Sequence, residues 1–117
     1  MLIIRKEQED ALTAASEREF VRRMVPHLRE TFPLRTHGMN DESIRQLVQG
    51  GISRARQRGY TLELSVCLYL HIVLLLGAEF DGDKAEPWVR KVRDDQSLKD
   101  PHSRLEYLHE MALVRAQ

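Results

Sequence analysis

The chain has a single cysteine, Cys67, among its 117 residues, which excludes an intrachain disulfide and leaves any zinc site dependent on other ligands. It also lacks an excess of charge. Its 18 lysines and arginines balance 18 aspartates and glutamates, so no overall field draws it to nucleic acid or an anionic membrane, and a polyanion site would need a local patch. There is no low-complexity tract, no internal repeat, and no period-two alternation bounded by hairpin turns. The apolar opening Met1-Leu2-Ile3-Ile4 runs straight into Arg5, Lys6 and Glu7, too short for the core of a signal peptide. The expectation is a soluble cytoplasmic protein, one all-α domain over residues 1–117, built as a compact bundle of about five helices.

What is present begins with the run Val66-Cys67-Leu68-Tyr69-Leu70-His71-Ile72-Val73-Leu74-Leu75-Leu76. Thr61 ahead of it can accept a hydrogen bond from a first-turn N–H, and Gly77 behind it can take the left-handed conformation that closes a helix. Those limits enclose only ~15 residues or ~22 Å, short of the ~20 apolar residues a bilayer crossing needs. The spacing predicts a buried central helix over 61–76, with Leu68, Ile72 and Leu75 in a core shared with Phe20, Met24 and Leu28.

Other helices follow from local signals. A pattern starting near Arg5 shows Phe20, Met24, Leu28 and Phe32 at intervals of four, with Pro26 placed to kink or break it and Pro33 to close it. Asn40, followed by Asp41 and Glu42, caps a second helix whose face Ile44, Leu47, Val48, Gly51, Ile52 and Ala55 ends at Gly59. Pro87 opens a short helix behind the weak cap Glu86, and Asp100-Pro101 opens the last, with Leu105, Leu108 and Ala112 facing inward.

Few residues commit to chemistry. His102, Glu106 and His109 fall at i, i+4 and i+7 and could share a metal, but a di-iron site needs a second Glu-x-x-His, which no other histidine supplies. A solvated helix face is the simpler reading, and neither metal nor cofactor is expected. Residues 81–92 imitate a calcium loop yet carry Ala85, Glu86 and Val92 where a ligand, glycine and bidentate glutamate belong. Cys67 and His71 lie one helical turn apart, but their apolar neighbours favour a packed thiol and a hydrogen-bonded core histidine over a nucleophile and base. A helix-turn-helix reading around Gly59 fails because the second helix offers leucines and valines, not base-edge donors. No Walker, dinucleotide, nucleophile-elbow or His-Glu-x-x-His motif occurs, so an enzyme is not expected. Protein binding remains, with Arg54, Arg56 and Arg58 at one helix end and Asp81, Asp83 and Trp88 around an acidic loop as the candidate contact residues.

Leu2-Ile3-Ile4-Arg5-Lys6-Glu7-Gln8, Phe20 with Met24-Val25, His27-Leu28-Arg29 and Phe32-Pro33 form the first half of a resemblance. Gly51-Ile52 with Ala55 and Gly59, then Gly77, Phe80-Asp81, Asp83 and Pro87-Trp88 form the second. Over most of its length the chain resembles small helical proteins encoded beside spike, PAAR-repeat and toxin genes in bacterial type VI secretion clusters. Pro26 and the doubled glycine at Gly50 depart from that pattern. The resemblance implies an adaptor or chaperone that binds an effector or spike component. The alternatives are an immunity protein that neutralises a cognate toxin and, from a different class, a metal-dependent helical enzyme.

Overall fold

Thr13 and Ser16 close a reciprocal capping box: the Thr13 hydroxyl accepts the Ser16 N–H at 3.2 Å, and the Ser16 hydroxyl accepts the Thr13 N–H at 3.0 Å. In this computed structural model, which describes residues 11–98 and 100–116, that box opens α1 (Ala14–Thr31). The sequence placed the start of this helix near Arg5. Residues 5–10 lie outside the described ones, and Ala11 and Leu12 are not helical, because Ala11 bridges antiparallel to Leu62 and the Leu12 N–H donates to the Thr61 carbonyl at 2.7 Å. The buried Leu12 side chain anchors this extended entry.

Pro26 does not break α1. Its ring deprives the Arg22 carbonyl of a donor, at a cost of ~3 kcal/mol in an isolated helix. The proline is exposed, while Met24, Val25, His27 and Leu28 beside it are all buried, so packing of the surrounding turns holds the helix through the defect. The Phe32 N–H ends it on the Leu28 carbonyl at 2.8 Å, and Pro33 then starts a single further turn, α2 (Pro33–Thr36), instead of merely closing the segment.

Arg29 organises the next connection by donating to the Met39 carbonyl at 2.8 Å and to the Asp41 carboxylate at 2.7 Å. Asn40 caps α3 (Asp41–Gln57) as expected, its side-chain oxygen accepting the Ser43 N–H at 2.8 Å. Helix α3 packs on α1 and buries Ile44, Val48, Gly51, Ile52 and Ala55. It ends at Arg58, followed by Gly59 with φ of +89°, a conformation side chains disfavour.

The long apolar helix, α4 (Glu63–Leu76), starts two residues later than Thr61 would have it. Thr61 is extended and paired with Leu12, and the first helical carbonyl is that of Leu62, which accepts the Val66 N–H at 3.0 Å. Every residue from 65 to 73 is buried, so this helix is enclosed on all faces, although Leu75 is only half-buried. It closes at Gly77, φ +102°, as the sequence indicated.

The chain divides into two compact units within α4, after Cys67. In the first, Phe20, Met24, Leu28, Ile44, Val48 and Ile52 are nearly or wholly inaccessible. In the second, Phe80 is buried and stacks on Tyr69 with centroids 5.2 Å apart, and α5 (Pro87–Arg93) packs against α6 (Pro101–Arg115). Asp100 caps α6 by accepting the Ser103 N–H at 3.3 Å, and Pro101 takes its first position. The described residues thus form six helices rather than about five, the addition being α2, and the fold class is all α. No helix among them is long and apolar enough to cross a membrane.

Candidate functional site

Three of the six side chains that the sequence offered for partner binding, Arg56, Asp81 and Trp88, are engaged inside their own unit. Arg56 pairs with Glu17 at 2.7 Å and reaches the Leu12 carbonyl at 3.4 Å, tying the end of α3 to the start of α1. Arg54 is half-buried, with its guanidinium over Gly50 and its buried Nε without an acceptor among the described residues. Arg58 is the exposed C-cap of α3. In the second unit, the Asp81 carboxylate accepts the Tyr69 hydroxyl proton at 3.0 Å, and its carbonyl accepts from Arg93 at 3.4 Å, so Asp81 organises its own loop. Asp83 is exposed. Trp88 is half-buried: its indole N–H donates to Glu86 at 2.7 Å, and the Arg115 guanidinium lies 4.7 Å over its ring.

A better-formed surface lies in the first unit, where α1 and α3 flank an open groove of about 640 Å³. Val21 and Val25, both almost fully buried, lie at its bottom, and the exposed Ala14 and Pro26 give its open apolar surface, while Arg18 and Arg22 on α1 and Arg45 on α3 stand around it. Two acidic residues also line the groove, and both are claimed by cations: Glu17 by Arg56 and Asp41 by Arg29, each at 2.7 Å. Arg22 grips Glu19, and Arg45 grips Glu42, each through Nε and Nη2 in an exposed i, i+3 pair. Arg18 has no ion-pair partner among the described residues. Sequence reasoning missed this groove. The i, i+4 repetition of Arg18 beside Val21, and Arg22 beside Val25, is the one-dimensional trace it leaves.

The titratable core residues have partners that their sequence spacing does not give. Cys67 Sγ lies 3.8 Å from His27 Nε2 in the first unit, and burial pushes the thiol pKa up to about 12, so almost no thiolate exists at neutral pH. In the second unit, His71 Nδ1 and His109 Nε2 are 3.1 Å apart with ring centroids 5.0 Å from each other. Burial holds His109 below the usual imidazole range and does the same to His27. The His102, Glu106, His109 trio is therefore split. His102 meets Glu106 at 3.4 Å, whereas His109 turns to His71, and both histidines are half-buried rather than on a solvated face.

Compared with known proteins, the chain matches no family model, no curated protein and no solved structure.

Proposed function

We propose that this protein is a non-enzymatic accessory protein, an adaptor or chaperone, that binds an effector or spike component of a bacterial type VI secretion system. The observation that supports binding is the groove between α1 and α3, in which three arginines and the paired acids Glu17 and Asp41 surround the exposed Pro26 on two packed helices. Interfaces draw their affinity from such sites, where apolar contact excludes water around guanidinium donors. The link to secretion comes from the resemblance of the sequence. The only cysteine is not poised as a nucleophile, since burial pushes its thiol pKa up to about 12.

The decisive experiment removes the gene from its native cell. Loss of effector export with normal growth, together with co-purification of an effector or spike protein with the tagged chain, is the expected result. Poisoning of the mutant cells by a neighbouring toxin would instead make the protein an immunity factor, and unaltered export would end the adaptor reading.

A further inference from the structure

We infer that the groove between α1 and α3 receives an α-helical segment of a protein partner, one whose apolar stripe is edged with aspartate or glutamate. The inference rests on the binding role proposed above and names the chemistry of what is bound. The groove is built from helical rows: on α1 the lining positions Ala14, Arg18, Val21, Val25 and Pro26 repeat at one face, and on α3 Asp41, Arg45 and Gln49 fall at i, i+4 and i+8. At 1.5 Å per residue the α1 row is ~18 Å long, which matches about three turns of a third helix lying between the first two. A ridge of side chains fits between two such rows, as in ordinary helix packing. A partner helix docked this way sets leucines or isoleucines against the exposed Ala14 and Pro26 and over the edges of Val21 and Val25.

Charge selects the edge residues. The acids on the groove wall are each paired with an arginine that does not itself line it, Glu17 with Arg56 and Asp41 with Arg29. The cations on the wall are available to an incoming group. Arg18 has no counter-ion among the described residues, and Arg22 and Arg45 commit Nε and Nη2 to their glutamates, leaving Nη1 donors to spare. Those glutamate pairs are exposed and contribute little, so a carboxylate arriving with an apolar helix, in a site it desolvates, competes well for the same guanidinium groups. A lysine-edged helix finds no unpaired acid on the wall and meets Arg18, whose charge is unpaired among the described residues.

Two fluorescent peptides of about four helical turns test this, sharing one leucine stripe and differing only in glutamate or lysine at the flanking positions. They are titrated against the full chain by anisotropy. The glutamate peptide should bind at least about tenfold more tightly than the lysine peptide, with affinity falling as salt rises. The double variant R18E/R45E, with unaltered circular dichroism, should reverse that preference. Equal binding of the two peptides, binding of neither, or a preference untouched by R18E/R45E would each overturn the inference. The secretion role fails separately: if the glutamate peptide binds through these arginines while no effector or spike protein is captured, the groove assignment stands without it. If an effector is captured equally well by R18E/R45E, the role stands and the groove assignment falls.

Discussion

His71 Nδ1 and His109 Nε2 face each other across 3.1 Å, close enough that one ring must donate a hydrogen to the other. Two imidazolium ions cannot be held at that distance in a partly buried site without strong repulsion, so at least one ring of the pair stays neutral in the folded protein. The arrangement makes acidification a challenge to the fold.

Stability should fall as the pH drops below about 6.5. Burial lowers the folded-state pKa of His109 and of His27 beneath the ordinary value of 6.5. Between the folded and unfolded values the unfolded chain binds more protons, so stability rises with pH through that window and is lost on descending through it. Asp95 and Asp100 are held down by hydrogen bonds from Ser97 and Ser103, and their contributions disappear only further down, below 3.8. Thermal unfolding at about pH 7.5 and about pH 5.5 checks the sign, and His109→Gln should flatten the difference. A midpoint that rises on acidification would contradict it.

Tyr69→Phe should destabilise the protein by about 1–3 kcal/mol, because it deletes the hydroxyl that Asp81 accepts at 3.0 Å while keeping the ring stacked on Phe80. Urea unfolding should show a lower midpoint at constant slope.

The two glycines at either end of one short stretch should respond oppositely. A Cβ on Gly50 meets nothing nearer than the flexible Arg54 guanidinium at 3.7 Å, so Gly50→Ala should stabilise α3 by about 0.5–1 kcal/mol. Gly59 has φ of +89°, and Gly59→Ala should cost about 1–2 kcal/mol. Equilibrium denaturation of both variants reads the two signs directly.

Cys67 should resist iodoacetamide in the native protein and react fully once urea unfolds it, since its thiol is buried and its pKa stands near 12. Native labelling as fast as that of a free peptide thiol would refute the pairing with His27.

Helix ends set by one or two residues were legible without the fold. Asn40, Gly59, Gly77 and Asp100-Pro101 all act where the sequence put them, because a cap is a hydrogen bond or a backbone conformation decided within a few residues. Thr61 misled for a reason that lies 49 positions away: Leu12 takes its carbonyl into an extended pair, and the helix begins beyond it. Of the candidate contact residues, Arg56 and Asp81 have partners at Glu17 and Tyr69 that no local pattern specifies.

The sequence by itself determined that the chain is helical, where most helices stop, and that the run from Val66 is buried, as it is through Val73, since periodicity and an unbroken apolar run carry that information. Tertiary structure decided that Pro26 is tolerated, that Cys67 turns to His27 and His71 to His109, and that Arg18, Arg22 and Arg45 share one groove. Each of these depends on which helix faces lie against each other. That choice is made by the packing of side chains far apart in the chain, and spacing along one helix cannot express it.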